Sequence, residues 1–147
     1  MVPSGGARHP FETYLAIYQV DGLKPGLYRY LPIPHKLYCV SYHDDMIDKV
    51  RATIPAFNPI SPGIEDSAVT FFWTALPYRV EWQYPDMSVK LVAQDSGHLC
   101  QNLYLAVEAI SAGTCAIDAY FQDEADQLLG VDGREEFSVY LAIVGKI

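Results

Sequence analysis

Residues 3–9, read PSGGARH, combine the residue types that most favour close contact between a backbone and another group. Gly5 and Gly6 carry no Cβ atom, so a backbone at these positions can approach a neighbour closely. Ser4 offers a hydroxyl that both donates and accepts hydrogen bonds, and Arg8 offers a positive charge. Such a stretch normally lies between two elements of secondary structure, and here an apolar segment follows it directly. The sequence therefore indicates a loop whose backbone comes close to something else.

The other residues capable of chemistry do not form a metal-binding or catalytic motif. Among the four histidines and three cysteines, no pair has the spacing of a zinc site. His43, Asp44 and Asp45 are adjacent, but three polar residues before a helix are usually a cap. The sequence also lacks a nucleophile elbow, a Walker loop and a Rossmann glycine pattern. Motifs alone identify no active site, and we predict no bound metal.

Composition narrows the class of protein. The chain has 147 residues, of which 50% are hydrophobic and 19% are charged, with a formal net charge of −8. This length predicts one domain over 1–147, and the apolar content favours a surface buried in a dimer. The negative charge argues against nucleic-acid binding. No apolar run approaches the roughly 20 residues of a membrane span. Without a signal-peptide pattern, and with three widely spaced cysteines, we expect a cytoplasmic protein with reduced thiols.

The first half of the sequence predicts mainly strands. Residues 12–20 combine β-branched and aromatic types with partial alternation, which predicts a strand. Residues 27–40 predict a second extended segment, and the two prolines within it indicate an edge strand or a bent hairpin. Residues 44–54 begin with acids and end with bases, which favours a short helix. Residues 67–76 form an apolar run of strand length, which favours a central place in the sheet.

The second half predicts a long helix and then shorter elements. With Asp86 as its N-cap, residues 87–112 predict one helix that ends at Gly113. The second half of this helix is apolar on most sides, which is typical of a helix buried from several directions. The class is therefore α+β. The remaining elements are a strand over 114–121, a helix over 122–129 capped by Gly130, and a last strand over 136–145.

Three stretches, taken in order, resemble the flavin-dependent nitroreductase superfamily. They are residues 3–37, 95–132 and 136–146, and together they cover most of the chain. Within the superfamily they are most similar to the SagB-type dehydrogenase branch, which includes azoline oxidases of modified-peptide pathways. The resemblance implies a nitroreductase-like fold, in which helices flank an antiparallel sheet and a long central helix lies in a homodimer interface. It also implies FMN in a cleft between two subunits.

The resemblance assigns the first stretch to the flavin ring. It implies that Pro3, Ser4, Gly5 and Gly6, together with Ala7, contact the isoalloxazine ring, largely from the partner subunit. Ser4 would hydrogen-bond to the pyrimidine edge of the ring. Arg8, which is followed by His9, would stabilise the anionic reduced flavin. The alternative is that these residues form a disordered start and that Arg8 is a solvated side chain.

The later stretches supply further expected contacts. The resemblance implies that Ile117, Asp118 and Ala119 pass over one face of the flavin, where a small residue allows close packing. The alternative role for Asp118 is to cap the helix over 122–129. Lys146 matches the region where a basic residue contacts the FMN phosphate.

The long helix is expected to carry no chemistry. In the family it is the central helix of the dimer interface, so His98 is expected to be an interface histidine rather than a catalytic acid. Gln101 and Asn102 would then be buried polar groups that need partners.

Two departures from the family pattern qualify these expectations. Relatives carry an arginine-rich segment before the Pro-Ser loop to hold the FMN phosphate, whereas only Met1 and Val2 precede it here. We therefore expect a chain that lacks the usual N-terminal helices and binds FMN weakly unless another polypeptide contributes. Gln83 and Tyr84 stand where azoline-oxidising members have a Lys-Tyr pair. Because Gln is neither a cationic acid nor a base, generic flavin redox chemistry is favoured over azoline oxidation.

The sequence thus supports two hypotheses. The first is an FMN-dependent oxidoreductase that passes hydride from NAD(P)H or a substrate through flavin to a small acceptor. In it Tyr84 is the candidate catalytic proton donor, although a packing role for this tyrosine stays open. The second hypothesis is a flavin-less, non-catalytic remnant or partner subunit that acts through dimerisation.

Overall fold

A computed structural model describes residues 2–58 and 61–146. In this part of the chain six strands form one sheet in the order β3-β2-β1-β4-β6-β5. Every neighbouring pair is antiparallel, so the predicted antiparallel sheet is confirmed. The strands are β1 (Phe11–Ile17), β2 (Gly26–Leu31), β3 (Lys36–Tyr42), β4 (Ser67–Ala75), β5 (Ala112–Ile117) and β6 (Phe137–Lys146).

Helices cover both faces of the sheet. They are α1 (Met46–Ala52), α2 (Tyr78–Glu81), α3 (Ser88–Glu108) and α4 (Gln122–Leu129), with short 3₁₀ turns at Gly5–Ala7, Ser61–Ile64 and Pro85–Met87. On one face, α1 and α4 enclose a core with the sheet. On the other face, Cys100 and Val107 of α3 pack against Trp73 and Val144 of the sheet. The predicted α+β class with a long central helix is confirmed.

Strand β4 lies in the interior of the sheet because both of its faces are apolar. Phe72 is fully buried on the face covered by α1 and α4, and Trp73 is 2% exposed on the face covered by α3. The central position predicted for 67–76 is therefore confirmed. The segment over 27–40 forms a hairpin: Pro32 and Pro34 lie in the turn between β2 and β3, and β3 is the edge strand.

The boundaries of α3 differ from the prediction at both ends. Asp86 does not cap the helix, because it lies inside a 3₁₀ turn and Met87 occupies the N-cap position. The helix ends at Glu108 rather than near residue 112, since Ser111 adopts a positive φ of 55° and the chain enters β5 at Ala112. That strand stops at Ile117, four residues before the predicted end at 121. Gly130 caps α4 with φ 74°, as predicted.

Most of α3 is exposed in the single chain. Its buried residues are Ser88, Asp95, Cys100 and Val107, whereas Leu105 is 64% exposed and Ile110, just beyond the helix, is 73% exposed. The expectation of a helix buried from several directions is therefore not met within one copy. We call the exposed apolar side that includes Leu105 and Ile110 the outer face of α3.

Candidate functional site

The 3–9 loop folds into a defined turn. The Ala7 N–H donates to the Ser4 carbonyl at 2.9 Å, and the His9 N–H donates to Ser4 Oγ at 2.9 Å. Gly6 and Ala7 both adopt left-handed backbone conformations, with φ 61° and 55°. The left-handed region costs an L-residue free energy, so surrounding contacts must hold this turn in place. The alternative of a disordered start does not describe this loop.

Asp95 of α3 binds the backbone of the 3–9 loop. The Gly5 N–H is shared between both carboxylate oxygens of Asp95, each at 3.1 Å, and Asp95 is only 3% exposed. A Cβ at Gly5 would lie 2.6 Å from Cδ2 of Leu91, so the glycine is what lets the loop rest directly on α3. No sequence motif marks Asp95 as a functional residue.

Tyr84 packs against the same loop at Gly6. Its own N–H donates to the carbonyl of Val80, which fixes it just after α2. A Cβ at Gly6 would lie 2.6 Å from Oη and 2.7 Å from Cε2 of Tyr84, so the phenol ring occupies that space. The structure thus brings together the predicted loop and the predicted catalytic tyrosine, which are far apart in sequence. Gln83, next to it, is exposed.

The end of the loop is tied to α2 through charged groups. Arg79 donates from Nη1 to the carbonyl of His9 at 3.2 Å and also binds the carboxylate of Glu12. Arg29 binds the other oxygen of Glu12, with Nη2 at 2.8 Å, and Glu12 is 9% exposed. The hydrogen bond to Glu12 raises the pKa of Arg29. A buried carboxylate is tolerable here because two guanidinium groups bind it.

Arg8 is fixed within the site. Its Nε donates to the carbonyl of Gly6 at 2.8 Å, and its guanidinium carbon lies 5.0 Å from the ring centroid of Trp82. A cation at this distance from an indole ring is attracted to its face. Arg8 therefore has defined contacts, whereas its predicted role toward a reduced flavin stays a prediction.

The predicted residues at the end of β5 form a second group. Ile117 is 2% exposed and pairs with Leu141 of β6. Asp118 and Ala119 follow the strand and are exposed, and Nδ2 of Asn58 donates to the carbonyl of Ala119 at 3.1 Å. Phe121, not Asp118, occupies the N-cap position of α4, and no side chain caps that helix. The alternative capping role for Asp118 is therefore wrong.

Lys146 lies at the far end of the same strand pair, opposite Ala112. It is exposed and lines a small cavity of about 220 Å³ that also includes Asp66, Ser67 and Thr114. The cavity presents hydroxyl groups and one cation to a ligand, but Asp66 opposes the binding of an anion there.

The two groups do not meet within one chain. Phe11, which follows the 3–9 loop, and Phe137 both pair with Ala75, so they mark one end of the sheet. Lys146 is nine residues further along β6, roughly 30 Å away at the usual rise of a strand. Strand β5 is three strand spacings from β1, roughly 14 Å. A single copy therefore holds the residues after β5 and Lys146 apart from the 3–9 loop.

The predicted FMN contacts fit the ring better than the phosphate. At the ring end, Ser4 Oγ accepts from His9 and still has its own proton to donate, and Ala119 is small and exposed. At the phosphate end, Lys146 is the predicted cation and Asp66 lies beside it.

In the described residues, no group of three or more His, Cys, Asp or Glu side chains could hold a metal ion.

Two polar residues of α3 are exposed in the single chain. His98 is half exposed, with Nδ1 3.7 Å from Asp95 Oδ1, and Gln101 is exposed rather than buried in this chain.

Within 2–58 and 61–146, no helix has both the length and the apolar character needed to cross a membrane.

Comparison with known sequences gives one family. The sequence profile of the Nitroreductase family matches residues 1–146. A protein of Methanocaldococcus jannaschii named as a nitroreductase, MJ1384, is 28% identical over 146 residues, which are 99% of this chain and 69% of that protein. The trifolitoxin-processing protein TfxB of Rhizobium leguminosarum bv. trifolii is 28% identical over 153 residues, but this chain spans only 34% of its length.

Comparison with solved structures gives the same fold. A crystal structure from Anabaena variabilis, named as a nitroreductase, matches with a TM-score of 0.87 and 24% identity, over 97% of this chain and 28% of that one. A structure from Desulfovibrio desulfuricans, named as a nitroreductase in complex with FMN, matches with a TM-score of 0.64 and 15% identity. That match covers 98% of this chain and 65% of the other. The chain therefore spans about a quarter to two thirds of these matched structures.

Proposed function

Because the chain belongs to the nitroreductase family, we propose that it is an FMN-dependent oxidoreductase, or the part of one that carries the flavin-ring contacts. The observation that carries this proposal is the 3–9 loop, which Asp95, Tyr84 and Arg79 hold at three different residues, Gly5, Gly6 and His9. A loop fixed in this way loses little conformational entropy when it contacts a ligand. When bound, FMN accepts a hydride from a reduced nicotinamide or a substrate and passes it to a small acceptor.

Different residues of this chain would contact different parts of FMN. Pro3, Ser4 and the two glycines would contact the ring, with the free proton of Ser4 donated to its pyrimidine edge. Ile117, Asp118 and Ala119 would lie over one face of the ring. Lys146 would contact the phosphate. Arg8 would supply positive charge near the ring, and Tyr84, whose hydroxyl lies at Gly6, would donate a proton to the acceptor.

We propose that the site is completed in a homodimer. Lys146 and the exposed residues Asp118 and Ala119 lie away from the 3–9 loop of the same copy, so a flavin held by them would meet the 3–9 loop of the second copy. The outer face of α3, which exposes Leu105 and Ile110, supports this arrangement, because pairing would bury that apolar area. NAD(P)H as electron donor and membership of the SagB-type branch belong to the same proposal, and the similarity to TfxB favours the branch.

The second candidate is a flavin-less subunit that acts through dimerisation. The observation that favours it is the phosphate end of the site, where Asp66 accompanies the single predicted cation, Lys146. A lysine is a point charge and does not replace a bidentate arginine cluster.

The absorption spectrum of the purified protein separates the two candidates. We would add excess FMN, remove what remains free and record the visible band. A retained flavin band, shifted from that of free FMN, supports the oxidoreductase, and assays with NADH and NADPH would follow. A colourless protein would overturn independent flavin catalysis by this chain and favour the flavin-less subunit.

A further inference from the structure

A cavity of about 650 Å³ lies beside the 3–9 loop. It is bounded by the loop, the first residues of β1, the N-terminal half of α3 and the turn of the β2–β3 hairpin. Its volume is within the range of small-molecule pockets. A larger cavity of about 720 Å³, between α2, α3 and β6, contains none of the predicted site residues. The apolar lining of the cavity beside the loop includes Pro3, Phe11, Pro32, Ile33 and Leu99.

The hairpin turn holds an apolar side chain at the mouth of this cavity. Ile33 is 98% exposed, although an isoleucine normally avoids water. The turn that carries it is fixed by Tyr30 and His35, since the tyrosine hydroxyl lies 2.7 Å from Nδ1 of the histidine and their rings meet edge to face at 5.6 Å. An exposed isoleucine on a fixed turn is a ready contact for an apolar ligand.

One carboxylate without an arginine partner faces the cavity. Asp95, Glu12 and His9 line it, and none of the described residues that line it is a Lys or an Arg. Glu12 is bound by Arg29 and Arg79, so these two guanidinium groups compensate its negative charge. Asp95 has no such partner: it accepts from the Gly5 N–H and lies 3.7 Å from the half-exposed His98. A second negative charge brought next to this buried carboxylate would be repelled.

We propose that this cavity is the pocket for the electron acceptor, and that it takes an apolar ring compound that is neutral or positively charged. Compounds that carry a carboxylate are excluded. The role as acceptor pocket rests on the proposed function, because Pro3 and Ser4 belong both to the cavity and to the predicted flavin-ring contacts. The ligand preference itself rests only on the lining of the cavity.

Binding can be measured without turnover by using ligands that cannot be reduced. Benzylamine, benzyl alcohol and benzoate share one ring and differ in charge, so they form a matched series. Each would be titrated into the isotopically labelled protein, without FMN and again with it, while the backbone amide resonances are followed by NMR. We expect benzylamine and benzyl alcohol to shift the resonances of Ser4, Thr13, Ile33 and Leu99, with benzoate at least tenfold weaker. Equal binding of benzoate, or shifts located elsewhere, would overturn the proposal.

A pair of exposed positions provides matched variants. Ile33→Lys places a cation at the mouth of the cavity, whereas Val89→Lys places one at a site that is 83% exposed and lines the larger cavity instead. The added cation would repel the ammonium group of a ligand in the cavity, so benzylamine should bind more weakly to Ile33→Lys. Val89→Lys should leave the affinity unchanged. Identical affinities in the two variants would contradict the assigned pocket.

The two proposals fail in different ways. A protein that binds benzylamine at this cavity but retains no FMN would refute flavin catalysis and leave the ligand pocket standing. A protein that retains FMN but does not distinguish benzylamine from benzoate would refute the ligand preference and leave the oxidoreductase standing.

Discussion

Removal of the Asp95 carboxylate should release the 3–9 loop from α3. The Gly5 N–H is shared between the two oxygens of Asp95, both at 3.1 Å, so the pair counts as one hydrogen bond to a charged group. Such a bond is worth about 1.5–3 kcal/mol. Each 1.4 kcal/mol is a tenfold change in an equilibrium, so Asp95→Ala should raise the population of the released loop about 10- to 100-fold. Asp95→Asn keeps one carbonyl oxygen as an acceptor and should give a smaller effect.

Hydrogen exchange at the Gly5 amide reports this release directly. The exchange rate, followed by NMR, should rise by the same 10- to 100-fold in Asp95→Ala, while amides in the central strand β4 keep their rates. Asp86→Asn is the matched control, because Asp86 is exposed and lies in the 3₁₀ turn before α3.

Two results would refute this reasoning. The first is an unchanged Gly5 exchange rate in Asp95→Ala, which would mean that other contacts hold the loop. The second is equal acceleration at Gly5 and in β4, because that pattern reports loss of global stability rather than release of the loop. Measurement of the unfolding free energy in urea separates the two cases.

Three further predictions concern the turn, the outer face of α3 and acid stability. Gly6→Ala should lower the unfolding free energy in urea by at least about 1–2 kcal/mol, because alanine is strained at φ 61° and its Cβ would also overlap the Tyr84 ring, and an unchanged value would contradict this account of the turn. Leu105→Lys places a charge on an exposed apolar side chain and should convert a dimer to a monomer in sedimentation experiments, and a persisting dimer would argue against pairing through α3. Backbone N–H groups of Arg134, Glu136 and Glu135 lower the pKa of Asp132, so its contribution to stability is present above about pH 4 and is lost as the pH falls through the lowered pKa. Unfolding followed from pH 5 downward should show a shallower loss of stability in Asp132→Asn, and parallel curves for the two proteins would contradict this prediction.

Residue types alone predict the interior position of β4 and the turn between β2 and β3. Ser67–Ala75 is apolar on both of its faces, and this pattern correctly predicts an interior strand. The prolines of the β2–β3 turn correctly predict an interruption of the extended segment. The end of α3 could not be predicted in the same way. It depends on a positive φ at Ser111, and serine carries no strong signal for that conformation.

The supporting residues of the site were harder to recognise. Asp95 lies four residues before Leu99, in register with the buried side of α3 that reaches Val107, so a charged residue on an apolar stripe was an available signal. Glu12 offered no comparable signal, because its partners are 17 and 67 residues away and only the folded sheet brings them together. The sequence therefore predicts the loop itself, whereas the groups that hold it depend on tertiary contacts.

One helix carries both the support of the loop and the exposed apolar surface. Leu91 and Asp95 hold the 3–9 loop from the N-terminal half of α3, and Leu105 lies on the outer face of the same helix. If copies pair through that face, pairing also fixes where each loop meets the other copy, and cofactor binding becomes linked to assembly by mass action. Dilution alone would then release the cofactor, so the protein would hold FMN at high concentration and lose it at low concentration without any change in its sequence.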